Sequence, residues 1–113
     1  MSDRVKEFRL KREELNEQVL SRDNINIKRF FSLDTAVYND GALDTKTKEL
    51  LGLVASVVLR CDDCITYHTI RVREVGLTDE EFDEVMSIAL VVRGSITIPH
   101  IRQAVKLWKE IEN

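Results

Sequence analysis

Two cysteines and a histidine lie close together within residues 61–68, which read CDDCITYH. Cys61, Cys64 and His68 stand at i, i+3 and i+7, so on a helix all three project from nearly the same face. A C-x-x-C pair at a helix start brings two sulfurs within bonding distance, and the first-turn amides and helix dipole stabilise a thiolate. An imidazole one turn later could exchange a proton with a sulfur. The spacing therefore predicts a reversible dithiol with its own proton carrier.

Metal binding is the main alternative for the same residues, and inert buried thiols are a third. Cys61, Cys64 and His68 could supply three zinc ligands, with Glu49 or His100 as a fourth. Structural zinc sites usually draw paired ligands from two separate motifs, and this chain has only one pair of cysteines. Redox chemistry is therefore favoured. The second histidine, next to a proline, is more typical of a packing or surface residue.

The composition indicates helices as the elements that position these residues. The chain has 113 residues, of which 43% are hydrophobic and 33% charged, with only four glycines and one proline. Such a chain is predicted to be all-α and to form one domain over residues 1–113. We predict six helices, of which the first two span about residues 3–21 and 26–38. The others run from Asp44 to about residue 60, from the cysteine motif to Gly76, from Thr78 to Gly94, and from about Pro99 onward.

The third predicted helix supplies a carboxylate to the cysteine motif. If helices three and four form an antiparallel hairpin, Glu49 lies roughly 16 to 18 Å and His68 roughly 10 Å from the turn, at a rise of about 1.5 Å per residue. The remaining offset is about one helical turn, which a glutamate side chain and one water could span. Glu49, Gly52, Ser56 and Arg60 also form one stripe of small or polar residues, which is predicted to face the cysteine helix.

Glu49, the pair Cys61 and Cys64, and His68, with Gly76 and Leu77 ending the helix, resemble the core motif of the carboxymuconolactone decarboxylase superfamily, in its alkylhydroperoxidase AhpD-like branch. The resemblance implies an AhpD-like helical bundle that assembles into trimers or hexamers. It also implies thiol-dependent peroxidase activity, in which the two cysteines are the redox pair and Glu49 with His68 is the proton relay. Some members of that branch have a histidine between the cysteines, where this chain has Asp63.

The resemblance also implies the reaction partners of such an enzyme. The expected substrate is a hydroperoxide, and the expected reductant is an external dithiol, for example of the lipoyl type. No bound cofactor or metal is expected. One alternative is a lyase like the carboxymuconolactone decarboxylases, which would use His68 and Glu49 as acid and base on a small carboxylated substrate. Another is a metal-binding or scaffolding oligomer without catalytic activity.

Charge and hydropathy make further predictions about location and assembly. The formal net charge is -3, and the basic residues near the N-terminus alternate with acidic ones, so no nucleic-acid partner is expected. No apolar run approaches the roughly 18 residues that span a bilayer, and no signal peptide is visible, so a cytoplasmic protein is expected. Helices three and five are apolar nearly all round. A domain this small has little interior for both, and a homo-oligomer is therefore predicted.

Overall fold

The computed structural model describes residues 3–111, which form six α-helices, one short 3₁₀ turn and no β-strand. The predicted all-α class is confirmed. The α-helices are α1 (Asp3–Leu20), α2 (Ile25–Val37), α3 (Thr45–Leu59), α4 (Asp62–Glu74), α5 (Asp79–Arg93) and α6 (Ile98–Glu110), and the 3₁₀ turn (Ser95–Thr97) precedes α6. None of these helices is both long enough and apolar enough to cross a membrane.

Local capping residues set the helix boundaries that the sequence predicts. The Asp44 side chain accepts a hydrogen bond from the Thr47 amide and begins α3. Thr78 and Glu81 form a reciprocal capping box that begins α5. Gly76 has a φ of 90° after the end of α4, a conformation that favours glycine, and Leu77 donates its amide hydrogen to the Val72 carbonyl.

The main core lies between α3, α4, α5 and α6. Its centre is the Phe82 ring stacked on Trp108, with ring centroids 4.4 Å apart. The indole nitrogen of Trp108 donates a hydrogen bond to Asp79 over 2.7 Å, which satisfies the polar atom of this buried side chain. A second cluster joins α1 to α4 and α6 through Val5, Ile70 and Leu107. These contacts fix α4, and with it the cysteine motif, from two sides.

Several apolar side chains remain exposed within the single chain. In α1 only Val5 is buried, while Leu15 and Val19 are exposed. The helix α2 buries no residue at all. The all-round apolar helices α3 and α5 bury one side each, and their other side exposes large hydrophobic residues, namely Leu51, Leu59, Ile88, Val91 and Val92. Large apolar side chains exposed on several helices are typical of an interaction face.

Candidate functional site

A two-residue turn joins α3 to α4 and presents the first cysteine. Arg60 ends α3 with a φ of 59°, in the left-handed region, and its amide hydrogen bonds to the Ser56 and Val57 carbonyls. The Cys61 amide also donates to the Ser56 carbonyl, over 3.1 Å. The chain can therefore reverse direction at once, and Cys61 becomes the N-cap of α4.

The two cysteines form a disulfide across the first turn of α4. Their Cα atoms lie 5.3 Å apart, within the usual range for a disulfide. The Sγ of Cys61 also accepts a hydrogen bond from the Cys64 amide over 3.3 Å, so a helix N-terminal N–H points at this sulfur. Cys61 is half-buried and Cys64 is exposed. The pair is thus placed where a thiolate would be stabilised and a reactant could reach it.

Glu49 and His68 are in direct contact, without the bridging water that the hairpin estimate allowed for. The Nδ1 atom of His68 lies 2.9 Å from Oε1 of Glu49. Glu49 is only 1% exposed, so its carboxylate depends on protein partners for its hydrogen bonds. Because Nδ1 faces the carboxylate and carries the hydrogen, Nε2 is the ring nitrogen left to exchange a proton.

Half-buried Arg71 is a third member of this group, and it was not predicted from the sequence. Its Nε donates to Oε2 of Glu49 over 3.2 Å, while its Nη1 donates to Glu74 over 2.8 Å. These two hydrogen bonds, Glu74 first, raise the pKa of the guanidinium against the opposing effect of burial. The spacing contained the signal, since Arg71 follows His68 by three residues and Cys64 by seven on the same helix.

Gly52 allows the two helices to approach at the level of the relay. A Cβ built on Gly52 would lie 2.8 Å from Cε1 of His68 and 2.7 Å from the hydroxyl oxygen of Tyr38. No side chain fits there without displacing one of them. The part of the predicted stripe formed by Glu49 and Gly52 therefore does face the cysteine helix. Ser56, farther along, is buried and donates its hydroxyl hydrogen to the Gly52 carbonyl over 2.7 Å.

Two tyrosines flank the imidazole of His68. The Tyr67 ring meets it edge-on at a centroid distance of 5.1 Å, and the Tyr38 ring lies at 5.5 Å. Burial, followed by the negative charge of Glu49, raises the pKa of both phenols. Both therefore stay protonated near neutral pH. A pocket of about 310 Å³ opens between α2, α3 and α4, and both tyrosines, Glu49 and Arg71 line it.

His100 lies beside the cysteine turn and not on a free surface. Its Nδ1 lies 2.9 Å from Oδ1 of Asp62, and its Nε2 accepts a hydrogen bond from Nε of Arg60 over 3.2 Å. The sequence predicted a packing or surface histidine here, and did not predict this pair of contacts. Nothing in the local pattern around Pro99 indicates where the start of α6 docks.

The described residues also bear on the zinc hypothesis. Within residues 3–111 no group of three or more His, Cys, Asp and Glu side chains is arranged to hold a metal ion. Each proposed ligand has another partner: the two sulfurs bond to each other, Glu49 contacts His68, and His100 contacts Asp62.

Comparison with known proteins connects this geometry to a family. The family model described as the carboxymuconolactone decarboxylase family matches residues 27–109, which include the dithiol, the relay and His100. The protein called uncharacterized protein 4 in the cox locus of Paracoccus denitrificans is 32% identical over 83 residues, 74% of this chain and 75% of that protein. An uncharacterized protein of Cupriavidus necator is 34% identical over 59 residues, 52% of either chain.

Solved structures extend the similarity to nearly the whole chain. A Thermotoga maritima crystal structure has a TM-score of 0.91 and 61% identity, over 94% of this chain and 93% of that chain. Another Thermotoga maritima structure, of a carboxymuconolactone decarboxylase family protein with a suggested involvement in antioxidative response, has a TM-score of 0.88 and 60% identity over 93% and 89%. A Legionella pneumophila protein named for the same family has a TM-score of 0.88 at 26% identity, over 99% and 100%.

Proposed function

Because the chain belongs to the carboxymuconolactone decarboxylase family, we propose that it is a thiol-dependent oxidoreductase of the AhpD-like branch that reduces hydroperoxides. The observation that carries this proposal is the Cys61–Cys64 pair at the N-terminus of α4, one turn before an imidazole held by a buried carboxylate. The antioxidative role suggested for the similar Thermotoga maritima protein supports the same chemistry. Ring decarboxylation would leave the dithiol without a use.

The proposed cycle begins when one of the two cysteines, as a thiolate, attacks a peroxide oxygen. The O–O bond breaks, the sulfur becomes a sulfenic acid, and the alkoxide leaves as an alcohol after taking a proton. His68 supplies this proton, while Glu49 fixes the ring orientation and stabilises the imidazolium state. The second cysteine then attacks the sulfenic sulfur, water is released, and the Cys61–Cys64 disulfide forms.

An external dithiol completes the cycle in this proposal. It attacks the disulfide, forms a mixed disulfide and then resolves it, so that the protein regains two thiols and the reductant leaves as a disulfide. The exposure of Cys64 supports this step, because the attacking sulfur must reach one sulfur of the pair in line. A small dithiol of the lipoyl type meets this requirement.

We further propose that the working form is a homo-oligomer, a trimer or a hexamer. The support is the apolar surface that a single chain leaves exposed on α2, α3 and α5. The α2 segment also contributes Tyr38 to the pocket beside Glu49, so covering that segment would enclose the relay. Light scattering at micromolar concentration should give a multiple of the 13.1 kDa chain mass, and a monomeric mass would contradict this proposal.

A thiol titration tests the redox function directly. Reduced protein treated with an alkyl hydroperoxide should lose both of its thiols, form one alcohol per disulfide, and regain the thiols after incubation with dihydrolipoamide. Cys64→Ser should abolish turnover, and Ser87→Ala, an exposed position on α5, is a control that should leave turnover unchanged. Full turnover by Cys64→Ser would contradict this mechanism. Activity on a carboxylated substrate that survives thiol alkylation would instead favour a lyase.

A further inference from the structure

His100 bonds to both residues that flank Cys61 in the chain. Arg60, just before the cysteine, donates from Nε to Nε2 of the imidazole over 3.2 Å. Asp62, just after it, lies with Oδ1 2.9 Å from Nδ1. Since Nε2 accepts, Nδ1 carries the hydrogen and donates it to the carboxylate. The imidazole of His100 therefore spans the turn between α3 and α4.

The imidazole is the firmly held member of this group. Its side chain is 14% exposed, whereas that of Asp62 is 77% exposed and Arg60 is also at the surface. The backbone that carries His100 is fixed by the preceding 3₁₀ turn, in which fully buried Thr97 donates its hydroxyl hydrogen to the Gly94 carbonyl over 2.9 Å. The two exposed side chains are thus tied to a rigid point on α6.

We propose that His100 is a positioning residue for the redox pair, which holds the turn so that Sγ of Cys61 stays within bonding distance of Sγ of Cys64. This inference rests on the proposed function only in requiring that the pair cycles between dithiol and disulfide. Without the imidazole, the turn keeps its backbone hydrogen bonds to Ser56 and Ile65 but loses both side-chain anchors. The reduced turn then gains freedom that disulfide formation must remove, so the disulfide becomes less favoured.

An electrostatic role for His100 would have the opposite effect on the same equilibrium. If the imidazole acted mainly by neutralising Asp62, its loss would leave an uncompensated carboxylate beside the thiolate. The reduced state would then be destabilised, and the disulfide would be more favoured. The direction of the change therefore separates positioning from charge compensation.

The experiment equilibrates the full chain with mixtures of reduced and oxidised dithiothreitol and measures the disulfide fraction by alkylation and mass spectrometry. In this exchange the protein disulfide is reduced to two thiols while dithiothreitol closes to its cyclic disulfide. His100→Phe keeps a ring but removes both hydrogen bonds, and should lower the equilibrium constant for disulfide formation about tenfold, close to 30 mV for a two-electron couple. His100→Gln, which can both donate and accept, should recover part of the loss.

Three further variants separate the positioning role of His100 from a general loss of stability. Lys109→Gln removes a charge at an exposed position in the last turn of α6 and should leave the equilibrium unchanged. Arg60→Met and Asp62→Ala each remove one anchor at an exposed position, and each should reproduce part of the shift even if His100→Phe fails to fold. Arg60→Met is the stricter test, because loss of a positive charge beside a thiolate would by itself favour the disulfide. An unchanged or increased constant in these two variants overturns the proposal, as does a wild-type chain that forms no disulfide.

Failure of the positioning role and failure of the proposed peroxidase function give different results. If wild-type protein does not consume hydroperoxide while His100→Phe still shifts the dithiothreitol equilibrium, the positioning role stands and the peroxidase function falls. If hydroperoxide is consumed but His100→Phe matches the wild type in the exchange, the positioning role falls alone.

Discussion

Replacing Gly52 with alanine is the most direct test of the relay geometry. The added methyl carbon would lie 2.7 Å from the Tyr38 hydroxyl oxygen and 2.8 Å from Cε1 of His68. To reach an ordinary contact near 3.4 Å, the hydroxyl must move about 0.7 Å and the ring about 0.6 Å, because packed interiors leave no spare space. The ring is held at 2.9 Å by Glu49, so it cannot move without straining that hydrogen bond.

Two opposing terms set the effect of Gly52→Ala on stability. Alanine stabilises a helix interior by about 1 kcal/mol relative to glycine. Overpacking typically destabilises by about 1 to 3 kcal/mol. The free energy of unfolding should therefore fall by about 0 to 2 kcal/mol instead of rising. Because a misplacement of about 1 Å can slow a positioned reaction 100-fold, a shift of about 0.6 Å should slow hydroperoxide-dependent thiol loss roughly tenfold.

Urea unfolding and single-turnover thiol oxidation measure the two effects. Ala55→Gly is a matched control, because it reverses the substitution at an exposed position of the same helix. It should lower the free energy of unfolding by about 1 kcal/mol without changing the rate. Adding Tyr38→Phe to Gly52→Ala removes one of the two close contacts and should recover part of the stability. A Gly52→Ala protein that is about 1 kcal/mol more stable than wild type and equally fast would refute the reasoning.

Further predictions concern the relay, the phenols and a helix cap. Glu49→Gln keeps the shape of the side chain and removes its charge. It should slow thiol oxidation about 10- to 100-fold in stopped-flow measurements, while both thiols can still be titrated. A wild-type rate of thiol oxidation would show that Glu49 is not part of the relay. The pKa values of Tyr38 and Tyr67 are raised above 10.0 in the folded chain. The contribution of the protonated phenols to the free energy of unfolding is therefore fully present below pH 10 and is lost at higher pH. Urea midpoints should therefore fall above pH 10, and less steeply in the Tyr38→Phe, Tyr67→Phe double variant; equal slopes would contradict this. Thr78→Ala should lower the free energy of unfolding by about 1 kcal/mol in urea titrations, and no loss would show that the capping box is dispensable.

The sequence predicted the helices well because their end signals are local. The N-cap Asp44, the capping box at Thr78 and the glycine at position 76 act through atoms within a few residues of themselves. Exposure was harder to predict. Hydropathy identifies α5 as apolar, but which of its sides meets α3 and α6 depends on packing between distant segments, so the exposure of Val91 at 85% has no local signature.

The same difference between local signals and long-range packing applies to the residues of the candidate site. Contact between Glu49 and His68 was predictable because both lie on one helical hairpin with a calculable offset, and Arg71 could have been added from its spacing. Tyr38 and His100 were not predictable, because each reaches the site from an element whose docking depends on the whole core. The family resemblance is confirmed, while the catalytic roles of the cysteines and the relay remain predictions.

The two-residue turn between α3 and α4 has a consequence for the order of folding. Glu49 lies 19 positions from His68 and 22 from Arg71, whereas His100 lies 40 and 38 positions from Arg60 and Asp62. The entropic cost of closing a loop rises by about 0.6 kcal/mol for each doubling of its length. The contacts of His100 can also form only after α6 has docked. We therefore expect the hairpin to assemble the relay and align the cysteines early, and the imidazole of His100 to close over the turn last, on an already folded site.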